Sequence, residues 1–242
     1  MRIDSHVHLG GPDAGDGAAQ SEQELLERME RAGVERAVAF PFNDSGAGEC
    51  FSISNRRLAE VQRRHSGRII CFARLDPNSS RVVEEARHCI EALRLRGFKL
   101  HPTAQGFTPE HPAVTQILHL AARYSLPVVF DNGKPESQNA AIARAAEQVP
   151  EAVVILAHIR GEQAIEVCEG RRNLYLGTVK AAPERVVEAV DALGAERVIA
   201  GSDAPYASMR YEMVEKFEAL ESLSRGEKAL IQGGNIRRLL GL

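Results

Sequence analysis

The chain is 242 residues long, 44% apolar and 26% charged, the make-up of an ordinary soluble globular protein with one large domain or two small ones. A formal charge of -3 and the lack of any Lys/Arg block argue against a nucleic-acid partner. No run approaches the ~18 apolar residues of a membrane span, and the N-terminus lacks the apolar core of a signal peptide, so a cytoplasmic protein with no membrane partner is expected.

The first stretch, MRIDSHVHL, reads as a strand in which Ile3, Val7 and Leu9 bracket His6 and His8. Successive strand side chains point to opposite faces, so the two imidazoles share a face with Cα atoms about 6–7 Å apart. That spacing lets both lean onto one metal ion, although composition alone nearly accounts for one such pair among 8 histidines. Ser21-x-x-Glu24 is a capping box that opens an amphipathic helix through Leu25, Met29 and Ala32, with Gly33 as the stop. Further β-branched runs lie at 35–41, 68–76, 97–102, 127–132, 152–158, 173–179 and 197–204. Helical patterns alternate with them: Leu58 and Val61 lead to Gly67, Val82 through Leu93 lead to Gly97, and others fit 112–124, 137–149, 161–169, 183–193 and 209–223. Ser224-x-x-Glu227 opens a closing helical segment. Cys50, Cys71, Cys89 and Cys168 never form C-x-x-C and read as free buried thiols in a reducing compartment.

Eight strand–helix units of about 30 residues predict an α/β fold, a (β/α)8 TIM barrel, with residues 1–242 forming a single domain. A doubly wound open sheet is the alternative; the lack of a Gly-rich dinucleotide turn favours the barrel. The loops at 10–20 and 43–55 are small, polar and Gly-rich, either site-forming loops of the catalytic face or plain surface connections. Units this short leave no room for a large lid. An open site is expected, or one completed by a partner subunit in a homo-oligomer.

Residues with chemical capability gather at strand ends: His6 and His8, then Lys99 and His101, then Asp131, His158 and Asp203. Barrel interiors normally hold Val, Ile and Leu, so ionisable groups there need a reason, and a divalent ion supplies one. Arg74 and Arg160 stand where they can meet a substrate carboxylate, or serve as surface ion-pair partners. His65, His88, His111 and His119 lie in or beside helical patterns and read as solvent-facing or packed. Asn132-Gly133 reads as turn chemistry.

IDSHVHLG, GFKLHP, ILAHIRG, GSDAPY and the terminal GGNIRRLLGL, in that order, resemble the amidohydrolase-related metal-dependent hydrolases, the branch that includes aromatic-acid decarboxylases. The resemblance implies that His6 and His8 are metal ligands and that Asp203 is a ligand that also handles protons. It implies that His158 binds metal or polarises substrate, and that Lys99 and His101 form a Lys-x-His feature of varying role. Asp131 departs from the family, which shows a histidine at that strand end. A carboxylate there can still ligate zinc or a harder ion.

The resulting expectation is a hydrolase of a small organic substrate with an ester, lactone or amide-type bond. Its cofactor would be a divalent metal ion, zinc in the first place and manganese as the alternative. Asp203 would take the proton of an activated water, and His158 with Lys99 or His101 would stabilise the developing oxyanion. A decarboxylase built on the same site is the competing reading, and a metal-poor binding barrel, suggested by Asp131 alone, is the third.

Overall fold

A computed structural model describes all 242 residues. Its strands are parallel throughout. β1 (Ile3–Leu9), β2 (Arg36–Pro41) and β3 (Ile69–Cys71) pair in sequence. So do β4 (Ala73–Arg74), β5 (Phe98–Leu100), β6 (Val128–Phe130), β7 (Val154–Leu156), β8 (Leu174–Gly177) and β9 (Val198–Ile199). β3 and β4 are halves of one strand broken at Phe72. Phe72 N–H donates to the Ala39 carbonyl at 3.0 Å on one side, and Ala73 N–H to Gly97 at 2.9 Å on the other. Beyond β9 the chain returns to β1: Ser5 N–H donates to Ala200 at 3.1 Å, Asp203 N–H to His6 at 2.7 Å and His8 N–H to Ala204 at 2.8 Å. The first and last strands are therefore neighbours, and the expected (β/α)8 barrel is what the chain forms.

The outer layer comprises α1 (Glu22–Ala32), α2 (Ser52–Arg64), α3 (Val82–Glu91), α4 (Pro102–Gln105), α5 (Pro112–Arg123), α6 (Asn139–Glu147), α7 (Pro183–Leu193), α8 (Lys216–Ala219), α9 (Arg225–Ala229) and α10 (Asn235–Leu239). Both capping boxes form, at Ser21 with Glu24 and at Ser224 with Glu227. Gly33 ends α1 at φ 61°, in the left-handed region that glycine enters without steric penalty. No helix is long and apolar enough to cross a membrane.

Strand parity sorts the core. Ala37, Ala39, Phe98, Leu100, Val128 and Phe130 face the helices, while Val38, Phe40, Phe72, Val129 and Ile155 fill the barrel. Ile236 and Leu240 seal its floor. At the carboxyl ends the chain spends buried positions on His6, Lys99, Asp131 and His158, so the apolar filling stops short of that mouth.

One helical expectation needs correction. Residues 161–169 form turns and one 3-10 turn at Glu166–Cys168, because Gly161 (φ 75°) and Gln163 (φ 56°) leave the helical region. The helix expected at 209–223 forms over residues 209–219, with a π-widened stretch at Tyr211–Glu215 running straight into α8, and ends four residues early. All four cysteines are buried and unpaired. His88 and His119 are exposed, while His65 packs on Glu22 and His111 caps α5.

Candidate active site

A cavity of about 360 Å3 opens at the carboxyl ends of the strands, and its lining includes all nine candidates: His6, His8, Arg74, Lys99, His101, Asp131, His158, Arg160 and Asp203. β1 is irregular between Asp4 and Val7. Buried Asp4 holds this stretch: its Oδ1 accepts from His6 N–H at 3.1 Å and from Ser202 N–H at 2.9 Å. Asp4 thus ties the first strand to the segment that carries Asp203. Gln20 does a related job, donating to the His8 carbonyl at 2.7 Å.

His6, His8 and Asp203 place one donor atom each within 4.8 Å of one another, the geometry of a set that can hold a metal ion. Asp203 Oδ1 lies 3.1 Å from His8 Nε2 and 3.5 Å from His6 Nε2. Burial pushes both imidazoles below their ordinary value, so each is a neutral ring with a lone pair to offer. His8 Nδ1 is buried and has no partner, which leaves one ring nitrogen unsatisfied in either tautomer of that neutral ring. Burial by itself would raise the Asp203 carboxyl, but His8, His6 and Lys180 hold it well below the usual range. An anion beside two neutral imidazoles is a donor set suited to a divalent cation.

A second cluster forms around Asp131. Its Oδ2 lies 2.8 Å from Arg160 Nη2, 3.3 Å from His158 Nε2 and 3.5 Å from His101 Nε2, and its Oδ1 lies 3.0 Å from Lys134 Nζ. Burial opposes ionisation here too, and His158, His101 and Lys99 outweigh it, so Asp131 stays a carboxylate. It points into the mouth but is not among the three convergent donors. The His101 tautomer follows from its partners. His101 Nδ1 accepts from Ala104 N–H at 3.1 Å, so its proton sits on Nε2, facing Asp131. His158 Nδ1 faces the Val179 carbonyl at 3.1 Å and its Nε2 faces Asp131 Oδ2, so the ring is held between two oxygen acceptors.

Asn132-Gly133 is more than a turn. Asn132 is fully buried; its amide donates to the His158 carbonyl and to Asn139, and its oxygen accepts from His158 N–H at 2.9 Å. Gly133 has φ 76°, and a Cβ there would lie 2.5 Å from the Arg160 carbonyl. The pair clamps the ends of β6 and β7 together and so sets where Asp131, His158 and Arg160 meet.

Two cations are buried against the mouth. Lys99 Nζ sits 3.4 Å from His6 Nε2 and over the Phe40 ring, and burial lowers it to about 7. Arg74 is 1% exposed: Nε reaches Gln105 at 3.4 Å, Nη1 reaches the Pro41 carbonyl at 3.4 Å, and the guanidinium lies 5.0 Å from the centre of the Phe51 ring. Its Nη2 has no partner. The Asn55 side chain bonds both the N–H and the carbonyl of Arg74 and fixes its backbone. The polar loops at 10–20 and 43–55 are stitched together at the rim, where Asn43 N–H donates to Asp13 Oδ2 at 2.9 Å. Asp13, Asp16, Lys134, Lys180 and Tyr206 also line the cavity and were not singled out from the sequence. Tyr206 stood inside GSDAPY and Lys180 one residue beyond the strand predicted at 173–179, so position offered a signal for both.

A parallel (β/α)8 barrel with a buried His-x-His pair on its first strand and an aspartate after its last defines a class of metal-binding barrel enzymes. The amidohydrolase family profile matches residues 3–242, and the chain belongs to that family. A search of curated protein sequences finds no match. Among solved structures, 5-carboxyvanillate decarboxylase from Sphingomonas paucimobilis aligns with a TM-score of 0.80 and 14% identity, over 100% of this chain and 99% of the other. A dihydroxybenzoic acid decarboxylase from Polaromonas sp. JS666, with bound manganese and the inhibitor 2-nitroresorcinol, aligns with 0.79 and 15%, over 100% and 97%. An amidohydrolase from Burkholderia multivorans with bound HEPES aligns with 0.79 and 15%, over 100% and 99%. At these identities the likeness is one of fold.

Proposed function

We propose that this barrel is a metal-dependent hydrolase of a small, polar, carboxylate-bearing substrate. The observation that carries the reading is that the His6, His8 and Asp203 donor set shares one cavity with Arg74, whose buried Nη2 has no partner in the protein. His6, His8 and Asp203 would hold the ion, with zinc or manganese both compatible with two imidazoles and a carboxylate. A divalent ion bound there supplies Lewis acidity to the substrate carbonyl and acidifies water toward a pKa of about 7.

The chain's own residues then have distinct tasks. Arg74 takes the substrate carboxylate with its free N–H; Arg160, half committed to Asp131, is a second anchor at the rim. Asp203 accepts a proton from the attacking water and returns it to the leaving group. Lys99 and the Nε2–H of His101 present positive or donor groups toward the developing oxyanion, with His158 beside them. Asp131 keeps the cluster's charge balanced. Because the donor triad is complete without it, its departure from the family's histidine does not remove the metal site.

Decarboxylation is the second reading, favoured by the relatives whose names are decarboxylases. The cavity walls favour hydrolysis: only 2 of the 17 lining residues are hydrophobic, whereas an aromatic acid needs apolar faces for its ring. The test has two parts. Metal analysis of the purified protein should find a divalent ion that is lost in His6→Ala/His8→Ala. Small lactones, amides and esters bearing a carboxylate should then be screened beside aromatic acids, with CO2 release followed separately. On the substrate found, Asp203→Asn should lower turnover by roughly 10²–10⁴-fold while metal content falls much less. Release of CO2 without hydrolysis would replace the hydrolase reading by the lyase one, and a protein that takes up no metal would remove both.

A further inference from the structure

The opposite end of the barrel holds a second cavity, of about 830 Å3, larger than the mouth. It lies where β3 and β5 begin, beneath the end of α2 and beside the last turn of the chain. Its charged side chains are four arginines, Arg36, Arg94, Arg96 and Arg238, with no Asp or Glu; Leu242, the last residue, also lines it. Half of its 18 lining residues are apolar, and Ile70 and Leu240 among these reach the sealed floor of the barrel.

The arginines are unequally occupied. Arg96 Nη2 donates to the Leu240 carbonyl at 2.5 Å, and Arg238 Nη2 to the Glu196 carbonyl at 3.1 Å. The guanidiniums of Arg36 and Arg94 make no hydrogen bond and no ion pair with the protein. Arg94 also stands at a conformationally costly position. It follows α3 with φ 59°, where Leu95 N–H closes the helix end onto Cys89, a place that glycine usually fills because an L side chain is strained there. Gln62 pins it by donating to its carbonyl at 3.0 Å. Strain held in place by surrounding contacts is a mark of sites with a task.

Even with the carboxylate of Leu242 counted, which also lines the hollow and is held by Arg237 Nε at 2.9 Å, four guanidiniums leave this apolar hollow with a net positive charge that an anion would balance. We propose that this floor cavity binds an anionic amphiphile, a molecule whose carboxylate or phosphate head lies between Arg36 and Arg94 and whose apolar tail lies on Ile70, Leu126 and Leu239. The volume is within the range of small-molecule sites, and a guanidinium fork matches both kinds of head. The site is at the other end of the barrel from the metal-binding mouth, so it stands or falls separately from the proposed reaction.

Calorimetric titration of the whole protein with decanoate, decyl phosphate, decanol and inorganic phosphate tests it. At least one of the charged amphiphiles should bind with one-to-one stoichiometry, and tighter than decanol by roughly tenfold or more, the effect of charge-assisted hydrogen bonds to the head. The preference between decanoate and decyl phosphate then identifies the head group. Arg36→Ala/Arg94→Gly should weaken that binding by a similar factor, and Arg74→Met, in the mouth, should leave it unchanged. Glycine suits the backbone at 94, so Arg94→Gly alone keeps thermal stability and provides the test if the double variant folds poorly. Decanol binding as tightly as the anions, binding undiminished in the arginine variants, binding abolished by Arg74→Met, or no binding of either charged amphiphile would each overturn the proposal.

Discussion

Lys180 Nζ lies 2.7 Å from Asp203 Oδ2, while Oδ1 of the same carboxylate faces His8 and His6. Both residues are in the left-handed region, at φ 53° and 65°, unusual for non-glycine residues. Neighbouring contacts hold them there: Lys180 N–H donates to Glu212 at 3.2 Å, and Asp203 N–H to His6. Together they fix which oxygen of Asp203 turns toward the imidazoles.

Lys180→Met should therefore free the carboxylate to rotate. Because Lys180 is partly exposed, at 44% of its side chain, the effect is moderate. Turnover should fall about tenfold, with Lys180→Arg recovering part of it, and the variant should still bind a divalent ion by competition with a chromophoric chelator. Loss of metal binding together with turnover would show that Lys180 supports the fold of the site and not its orientation.

Arg74→Met tests the substrate anchor. The replacement fills similar space and removes a buried charge, so the fold should survive. On a carboxylate-bearing substrate, kcat/KM should fall roughly 10–100-fold, mostly through KM, while the neutral methyl-ester analogue is turned over as before. Arg74→Lys should not rescue it, because an ammonium cannot reproduce the fork held by Gln105 and Pro41. Equal losses on both substrates would point to a positional role.

Gly133→Ala tests the clamp between β6 and β7. A methyl group 2.5 Å from the Arg160 carbonyl, at φ 76°, has nowhere to go without moving that backbone. The expected cost is about 2 kcal/mol or more in denaturant unfolding, with Asp131 and Arg160 displaced from each other. A variant as stable as the wild type would mean that the two turns are pliable.

The Glu22 carboxyl gives a pH-dependent contribution away from the site. Its hydrogen bond from Arg64, 2.9 Å from Nη2, holds it below its ordinary 4.5 against the opposing effect of burial. A depressed folded value means stability that is fully present above the unfolded value of 4.5 and lost as the pH falls below it through the lower folded value. Arg64→Ala should be slightly less stable than the wild type at pH 7, and the difference should shrink to nothing in acid. A constant difference across the pH range would assign the effect to packing.

Much of this molecule could be read locally. Period-two runs and 3.6-residue patterns are properties of short segments, so the eight units, both capping boxes and the shared face of His6 and His8 were legible without any tertiary information. So was the concentration of Lys99, His101, Asp131, His158 and Asp203 at strand ends. The misread stretch, 161–169, has helical composition, but the positive-φ residues Gly161 and Gln163 override it.

Tertiary structure decided what those strand-end residues touch. Closure of the barrel brings Asp203 to His6 and His8 across nearly two hundred residues, and the stagger of β6 against β7 gives Asp131 to His158 and Arg160. The same packing turns Asn132-Gly133 from a turn into a clamp, and buries Arg74 over Phe51 with one N–H left free. None of these contacts is written in a local pattern. A side chain's partner depends on register and shear summed around the whole sheet, whereas its face depends only on its parity within one strand.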